Sequence, residues 1–231
     1  EKVKKDVVTR NQLFDHNEEF VDKHMLSNYV CSNKYTCGVL KQDSFQFHPL
    51  NFMTALAQDC ITLGASIFEN CKFIKYGRNS RSIDSSISYE NRISKVQSEK
   101  IVFATGGYGG KEIKELKNYW LPIKTFIGVS KPMEKDLQSV LKKPLGFIDN
   151  RRAGNYYRVL PGNRLSWGRG ISAVGDFTPK KLKEAISKEI NYFFPDLRNV
   201  EIEYVWSGNM AYASHYMPYV GSAKIGEEEK N

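Results

Sequence analysis

The stretch Ile101 to Gly110, IVFATGGYGG, constrains what this chain can fold into more than any other. The uncharged run Ile101-Val102-Phe103-Ala104 leads into Thr105-Gly106-Gly107, and Gly109 and Gly110 follow Tyr108. A continuous apolar run predicts a strand buried on both faces, the kind found in parallel sheets covered by helices. Glycines at its end admit another backbone or a ligand, because no Cβ stands in the way. Open α/β sheets bind their ligands at the carboxyl ends of their strands. An ordinary strand closed by a tight turn accounts for the same residues.

The rest of the composition narrows the class. A chain of 231 residues allows one large domain or two small ones. Its 13 Phe, 13 Tyr and 3 Trp supply ample core, and 26% charge is ordinary for a globular protein. The formal net charge of +8 comes from scattered Lys and Arg, of which Lys180-Lys181-Lys183 is the nearest to a cluster. This suits anionic small ligands and argues against a dedicated nucleic-acid surface. Cys31, Cys37, Cys60 and Cys71 form no C-x-x-C pair and have no histidine at zinc spacing, so no metal is expected. Free thiols fit a reducing, cytoplasmic setting. No stretch approaches the ~20 apolar residues of a membrane span. The opening EKVKKDVVTR is too charged for a signal peptide, and a start at Glu1 rather than Met suits a beginning partway into a longer protein.

Residues 1–27 read as short helices, and Lys34 to Leu40 as a strand before His48. Pro49 suits a first helical turn. Phe52, Met53, Leu56, Cys60 and Leu63 then fall on one helical stripe, stopped by Gly64. Ala65 to Phe68 and Lys72 to Tyr76 read as strands, Gly77 to Asn91 as an exposed loop or hairpin tip, and Ile93 to Val96 as a strand leading into Ile101. After Trp120 the texture changes. Lys124 to Val129, Tyr156 to Leu160 and Arg164 to Trp167 are short alternating runs between Pro and Gly turns, which predict an antiparallel sheet. A second helix opens on Thr178-Pro179, points Leu182, Ala185, Ile186, Ile190 and Phe193 inward, and ends at Pro195. The expected class is α/β, built as two layers of different type.

Four blocks line up in order: HPLN at His48 to Asn51 opening the helix that ends LGASIFEN, IVFATGG at Ile101 to Gly107, NYYRVLPGNRLSWGRG from Asn155, and WSGNMAYASHYMPYVG from Trp206. Together they resemble the D-amino-acid-oxidase-like superfamily of flavoproteins, and within it the branch around gamma-glutamylputrescine oxidase. The resemblance spans Ser27 to Gly221. It implies an incomplete FAD-binding, Rossmann-like layer interleaved with a substrate domain on a large mixed or antiparallel sheet. Residues 46–117 and 206–231 would form the FAD layer, and 1–45 with 118–205 the substrate layer. The family's G-x-G-x-x-G turn has no match, since the first glycine is Gly38, and the Gly-rich segment expected after Gly221 is replaced by a tail ending EEEKN. The expectation is therefore an internal portion of such an oxidoreductase, or a decayed paralogue.

The resemblance also implies the chemistry. FAD carries the reaction while the protein supplies position and electrostatics. A neutral amine loses hydride to flavin N5, the imine is hydrolysed, and O2 reoxidises the flavin; the partners are a small-molecule amine and O2. The cofactor-binding candidates are His48, Phe73, Ala104, Thr105, Gly106, Gly107, Trp206 and Gly208. A helix cap at His48 and a core aromatic at Phe73 are the plainer readings. Tyr156 and Arg158 share one face of a strand, with Tyr157 on the other, and the face that lines the pocket would desolvate an amine; cross-strand tyrosine packing is the simpler alternative. Arg164 and Arg169 flank what reads as a Trp167-Gly168 turn, where arginines mostly pair with surface carboxylates. Family oxidases of free amino acids place an Arg shortly after the Trp-x-Gly equivalent to grip the substrate carboxylate. Here Asn209, Met210, Ala211 and Tyr212 stand there, and no Arg follows Arg198. A polyamine derivative such as gamma-glutamylputrescine fits better than a sarcosine- or glycine-type amino acid. His215 is a candidate replacement for that contact, or a lone surface histidine.

Overall fold

The computed structural model describes residues 1–79, 81–109, 113, 118–133, 137–151, 153–173, 177–197 and 199–222. Gly110 and the EEEKN tail lie outside them. The described elements run α1 (Lys2–Phe14), β1 (Glu18–Val21), α2 (Lys23–Leu26), β2 (Gly38–Lys41), α3 (Pro49–Thr62), β3 (Lys72–Arg78), β4 (Ile83–Tyr89) and β5 (Arg92–Ser98). Then follow β6 (Trp120–Ser130), β7 (Phe147–Ile148), β8 (Tyr156–Leu160), β9 (Arg164–Ser172), α4 (Pro179–Phe193) and β10 (Ile202–Ala213). The chain divides into two compact units, Glu1–Phe47 with Thr125–Gly208, and His48–Lys124 with Asn209–Asn231. The class is mixed α/β.

The first unit holds the core. Its five-stranded sheet has the order β10-β6-β9-β8-β7. Helix α4 forms where Thr178 accepts from the Lys181 N–H and Pro179 occupies the first turn. Its buried stripe, Leu182, Ile186, Ile190 and Phe193, packs with Trp167, Leu165 and Tyr157 of the strands. Each such side chain contributes roughly 1.5–3 kcal/mol relative to exposure. β8 pairs antiparallel with both β7 and β9, aligning Phe147 with Tyr157 and Tyr157 with Trp167. The three rings stack, with centroids 5.3 Å and 4.5 Å apart. Trp167 is fully buried. Within residues 1–27 the helices are α1 and α2, between them lies β1, which pairs with β2, and the buried Glu18 carboxylate there meets Arg10 at 2.7 Å and Lys41 at 3.0 Å.

The second unit departs from the sequence expectations in four places. Ile101 to Ala104 form no strand, and Val102 is 87% exposed, because no strand among the described residues pairs with this run. A buried strand needs ladder partners, and an apolar sequence alone does not supply them. Ala65 to Phe68 are also irregular: the stop at Gly64, at φ +94°, turns the chain so that the Ala65 N–H bonds back to Cys60 O. The segment from Gly77 to Asn91 is not a loop but contains β4, the centre of the meander β3-β4-β5. Ile83, Ser85 and Ile87 share one face of its pleat, and the real tip is Glu90-Asn91, both at positive φ. Helix α3 forms as expected, yet Phe52, Met53, Leu56 and Leu63 are exposed rather than inward.

Candidate functional site

The face of the five-stranded sheet opposite α4 presents Tyr156 and Arg158, while Tyr157 points into the core. Register places Tyr156 opposite Gly168 and Arg158 opposite Ser166. Trp167 and Gly168 thus lie within β9 and do not form a turn. The Tyr156 ring lies directly over Gly168: a Cβ there would overlap its Cδ2, Cε2 and Cζ atoms. The ring reaches across β9 toward β6, and its hydroxyl shares a 3.1 Å hydrogen bond with Thr125 Oγ1. Half-buried Arg158 donates from Nη1 to the Phe47 carbonyl at 3.0 Å.

The neighbouring arginines are neutralised. Arg164, on the same face, pairs with Glu203 and donates to Ser130 O at 3.1 Å. The Arg164 hydrogen bond holds the Glu203 carboxyl below its ordinary range. Arg169, on the α4 face, lies 2.7 Å from Glu189, and Arg151 lies 2.7 Å from Asp149. Arg158 has no carboxylate partner among the described residues. On the core face Tyr157 donates to the Tyr35 hydroxyl at 3.0 Å. Burial pushes the Tyr35 hydroxyl up to about 12 and raises that of Tyr157 further, so both stay protonated.

The second unit carries a cleft of about 460 Å³ lined by Lys72, Phe73, Val102, Phe103, Thr105 and Tyr108 among others. The structure therefore brings Phe73 and Thr105 together. Phe73 also packs edge-on to Phe103 at 5.4 Å. After Thr105, Gly106–Tyr108 make one turn of 3-10 helix. Gly107 sits where a Cβ would lie 2.7 Å from the Met210 carbonyl carbon and 2.9 Å from the Ala211 nitrogen, so its smallness seats this turn on β10. The Asn209 N–H donates to Tyr108 Oη at 3.0 Å, tying the same two segments. Ala104 and Gly106 are exposed beside them, Gly106 at φ +53°.

The remaining candidates are not among the residues that line the cleft. His48 caps α3, its Nδ1 accepting from the Asn51 N–H at 3.2 Å. Trp206 is exposed and Gly208 half-buried on β10. His215 is exposed, accepts from the Met217 N–H at 3.0 Å and packs on Tyr219 at 4.5 Å. Sequence reasoning missed Thr125, Phe47 and the role of Gly168. For Gly168 the strand register was the available signal; Thr125 and Phe47 had none.

Comparison with known proteins adds a frame to this geometry. Residues 2–230 match the family described as FAD dependent oxidoreductase, DAO. The chain is 27% identical over 210 residues to a probable oxidoreductase, OrdL, of Haemophilus influenzae, covering 89% of this chain and 47% of that protein. It is 24% identical over 205 residues to gamma-glutamylputrescine oxidoreductase of Escherichia coli, covering 88% of this chain and 47% of that protein. Among solved structures, glycine oxidase from Geobacillus kaustophilus shares the fold at a TM-score of 0.76 and 15% identity, over 96% of this chain and 60% of that one. The chain spans about half the length of the curated relatives it matches.

Proposed function

The chain belongs to the DAO family of FAD-dependent oxidoreductases, and on that footing we propose that it carries the substrate-facing sheet and part of the FAD layer of an enzyme oxidising the C–N bond of an amine. The favoured substrate is a polyamine derivative such as gamma-glutamylputrescine, with O2 as electron acceptor. Residues 46–117 and 206–231 contribute to the cofactor layer, and 1–45 with 118–205 to the substrate layer. The named activity of the Escherichia coli relative supports the substrate. The absence of an Arg at Asn209 to Tyr212 supports a reacting carbon that bears no carboxylate.

The cleft residues fit part of the cofactor. Phe73, Val102 and Phe103 suit a flat heteroaromatic ring, with Thr105 and Lys72 as the polar groups at its edge. Gly106 has open space where a Cβ would stand, leaving the adjoining backbone clear. Phe73, Ala104, Thr105 and Gly106 would hold FAD here on a turn seated by Gly107. FAD, when bound, supplies the hydride acceptor. The protein's own part is to bind and orient the amine. Tyr156, fixed by Gly168 beneath it and by Thr125 at its hydroxyl, offers an aromatic surface that desolvates an amine and favours its neutral form.

The observation that carries this reading is that the sheet face opposite α4 presents both a fixed aromatic, Tyr156, and Arg158, which has no carboxylate partner among the described residues. Anaerobic addition of gamma-glutamylputrescine to the flavin-loaded protein is expected to bleach the visible flavin band. Bleaching by glycine or sarcosine alone would sink the polyamine assignment.

A further inference from the structure

We infer that Arg158 is the specificity residue of this site and reads a carboxylate on the substrate remote from the carbon that is oxidised. The inference rests on the amine-oxidising reading above and names the substrate feature that reading leaves open.

Three observations converge on it. First, Arg151, Arg164 and Arg169 each have a carboxylate partner, in Asp149, Glu203 and Glu189. Arg158 has none among the described residues and spends one N–H on the Phe47 carbonyl. A guanidinium carries five N–H donors, so most of its fork is available to an anion from outside. Second, the fork is aimed. The Phe47 carbonyl, 111 positions away in sequence, fixes Nη1, which lowers the entropy lost when a carboxylate binds the other donors. Third, the alternation of β8 sets Arg158 on the same face as Tyr156, with Ser166 directly across the register. The row offers a cation and a hydroxyl beside an aromatic surface, and no carboxylate to compete for the fork.

These residues sort substrates by charge at two ends. A ligand with an amine at one end and a carboxylate at the other places the carboxylate on Arg158 and the amine away from it. The lack of an Arg from Asn209 to Tyr212 agrees with this, because the anion is then gripped from the sheet. Gamma-glutamylputrescine has this form. N-acetylputrescine has the same amide and primary amine but lacks the carboxylate and the α-ammonium beside it, so the response of Arg158 variants, not the wild-type difference alone, assigns the carboxylate.

Calorimetric titration of both amines into the protein tests the inference, with Arg158→Gln and Arg158→Lys as variants and circular dichroism to verify their folding. The wild-type protein is expected to bind gamma-glutamylputrescine about 10- to 100-fold more tightly than N-acetylputrescine. Arg158→Gln should erase that difference while leaving N-acetylputrescine binding unchanged. Arg158→Lys should retain part of it, as a point charge without the fork. Equal affinity for the two amines in the wild type, or an equal loss for both in Arg158→Gln, overturns the role of Arg158 and leaves the amine reading standing. No binding of either amine overturns both.

Discussion

Placing a methyl group at Gly168 is the sharpest probe of how the sheet fixes its aromatic surface. The Tyr156 ring occupies the space a Cβ would need, so Gly168→Ala must push the ring off β9. Inserting one carbon into packed surroundings costs about 1–3 kcal/mol. Moving the ring also breaks the 3.1 Å bond between its hydroxyl and Thr125, adding about 0.5–1.5 kcal/mol. The expected destabilisation is thus about 1.5–4.5 kcal/mol. In a Tyr156→Ala background the obstacle is gone, and alanine gains roughly 0.5–1 kcal/mol over glycine inside a strand. Equilibrium urea unfolding of the wild type, both single variants and the double variant closes the cycle, and its coupling free energy should match or exceed the single-variant cost. A Gly168→Ala penalty that is the same in the Tyr156→Ala background as in the wild type would refute the reasoning.

Other outcomes follow from the turn seated on β10 and from the buried carboxylate of β1. Gly107→Ala, aimed at the main chain of Met210 and Ala211, should destabilise by about 1–3 kcal/mol in thermal melts; Gly106→Ala, with open space around it but positive φ, should cost only about 1 kcal/mol. Equal costs would remove the packing explanation for Gly107. The Glu18 carboxyl is held below its ordinary value of 4.5, first by the Arg10 hydrogen bond and then by Lys41. The unfolded chain therefore takes up the proton first, and stability is present above pH ~4.5 and falls as pH drops below it. Glu18→Gln should flatten that acid limb in pH-dependent melts, and an unchanged limb would show that the pairing carries no linkage.

Helix α4 was readable residue by residue, since the cap at Thr178, the Pro at the first turn and the spacing of Leu182, Ile186 and Ile190 are all local signals. The same holds for β8 and β9, whose period of two by itself separates Tyr157 from Tyr156 and Arg158. What escaped was non-local. Thr125 meets Tyr156 across 31 positions and Phe47 meets Arg158 across 111, and no periodicity encodes such pairs. β4 was hidden because Asp84, Ser85, Ser86 and Ser88 read as loop, although small polar side chains sit well on a half-exposed pleat. The run from Ile101 to Ala104 failed for the opposite reason: its composition is right for a central strand, but a strand is defined by its neighbours.

The stacked row of Phe147, Tyr157 and Trp167 has a consequence for how this protein can change. A slip of β8 by one residue would drive Arg158 into the aromatic stack and expel Tyr157, so the core itself polices the alignment of the outer face. Tyr156, Arg158 and Ser166 stand on the face away from that stack. Selectivity can therefore be rewritten on one side of the sheet while the other keeps the strands in step, and the fold tolerates new ligands without relearning how to fold.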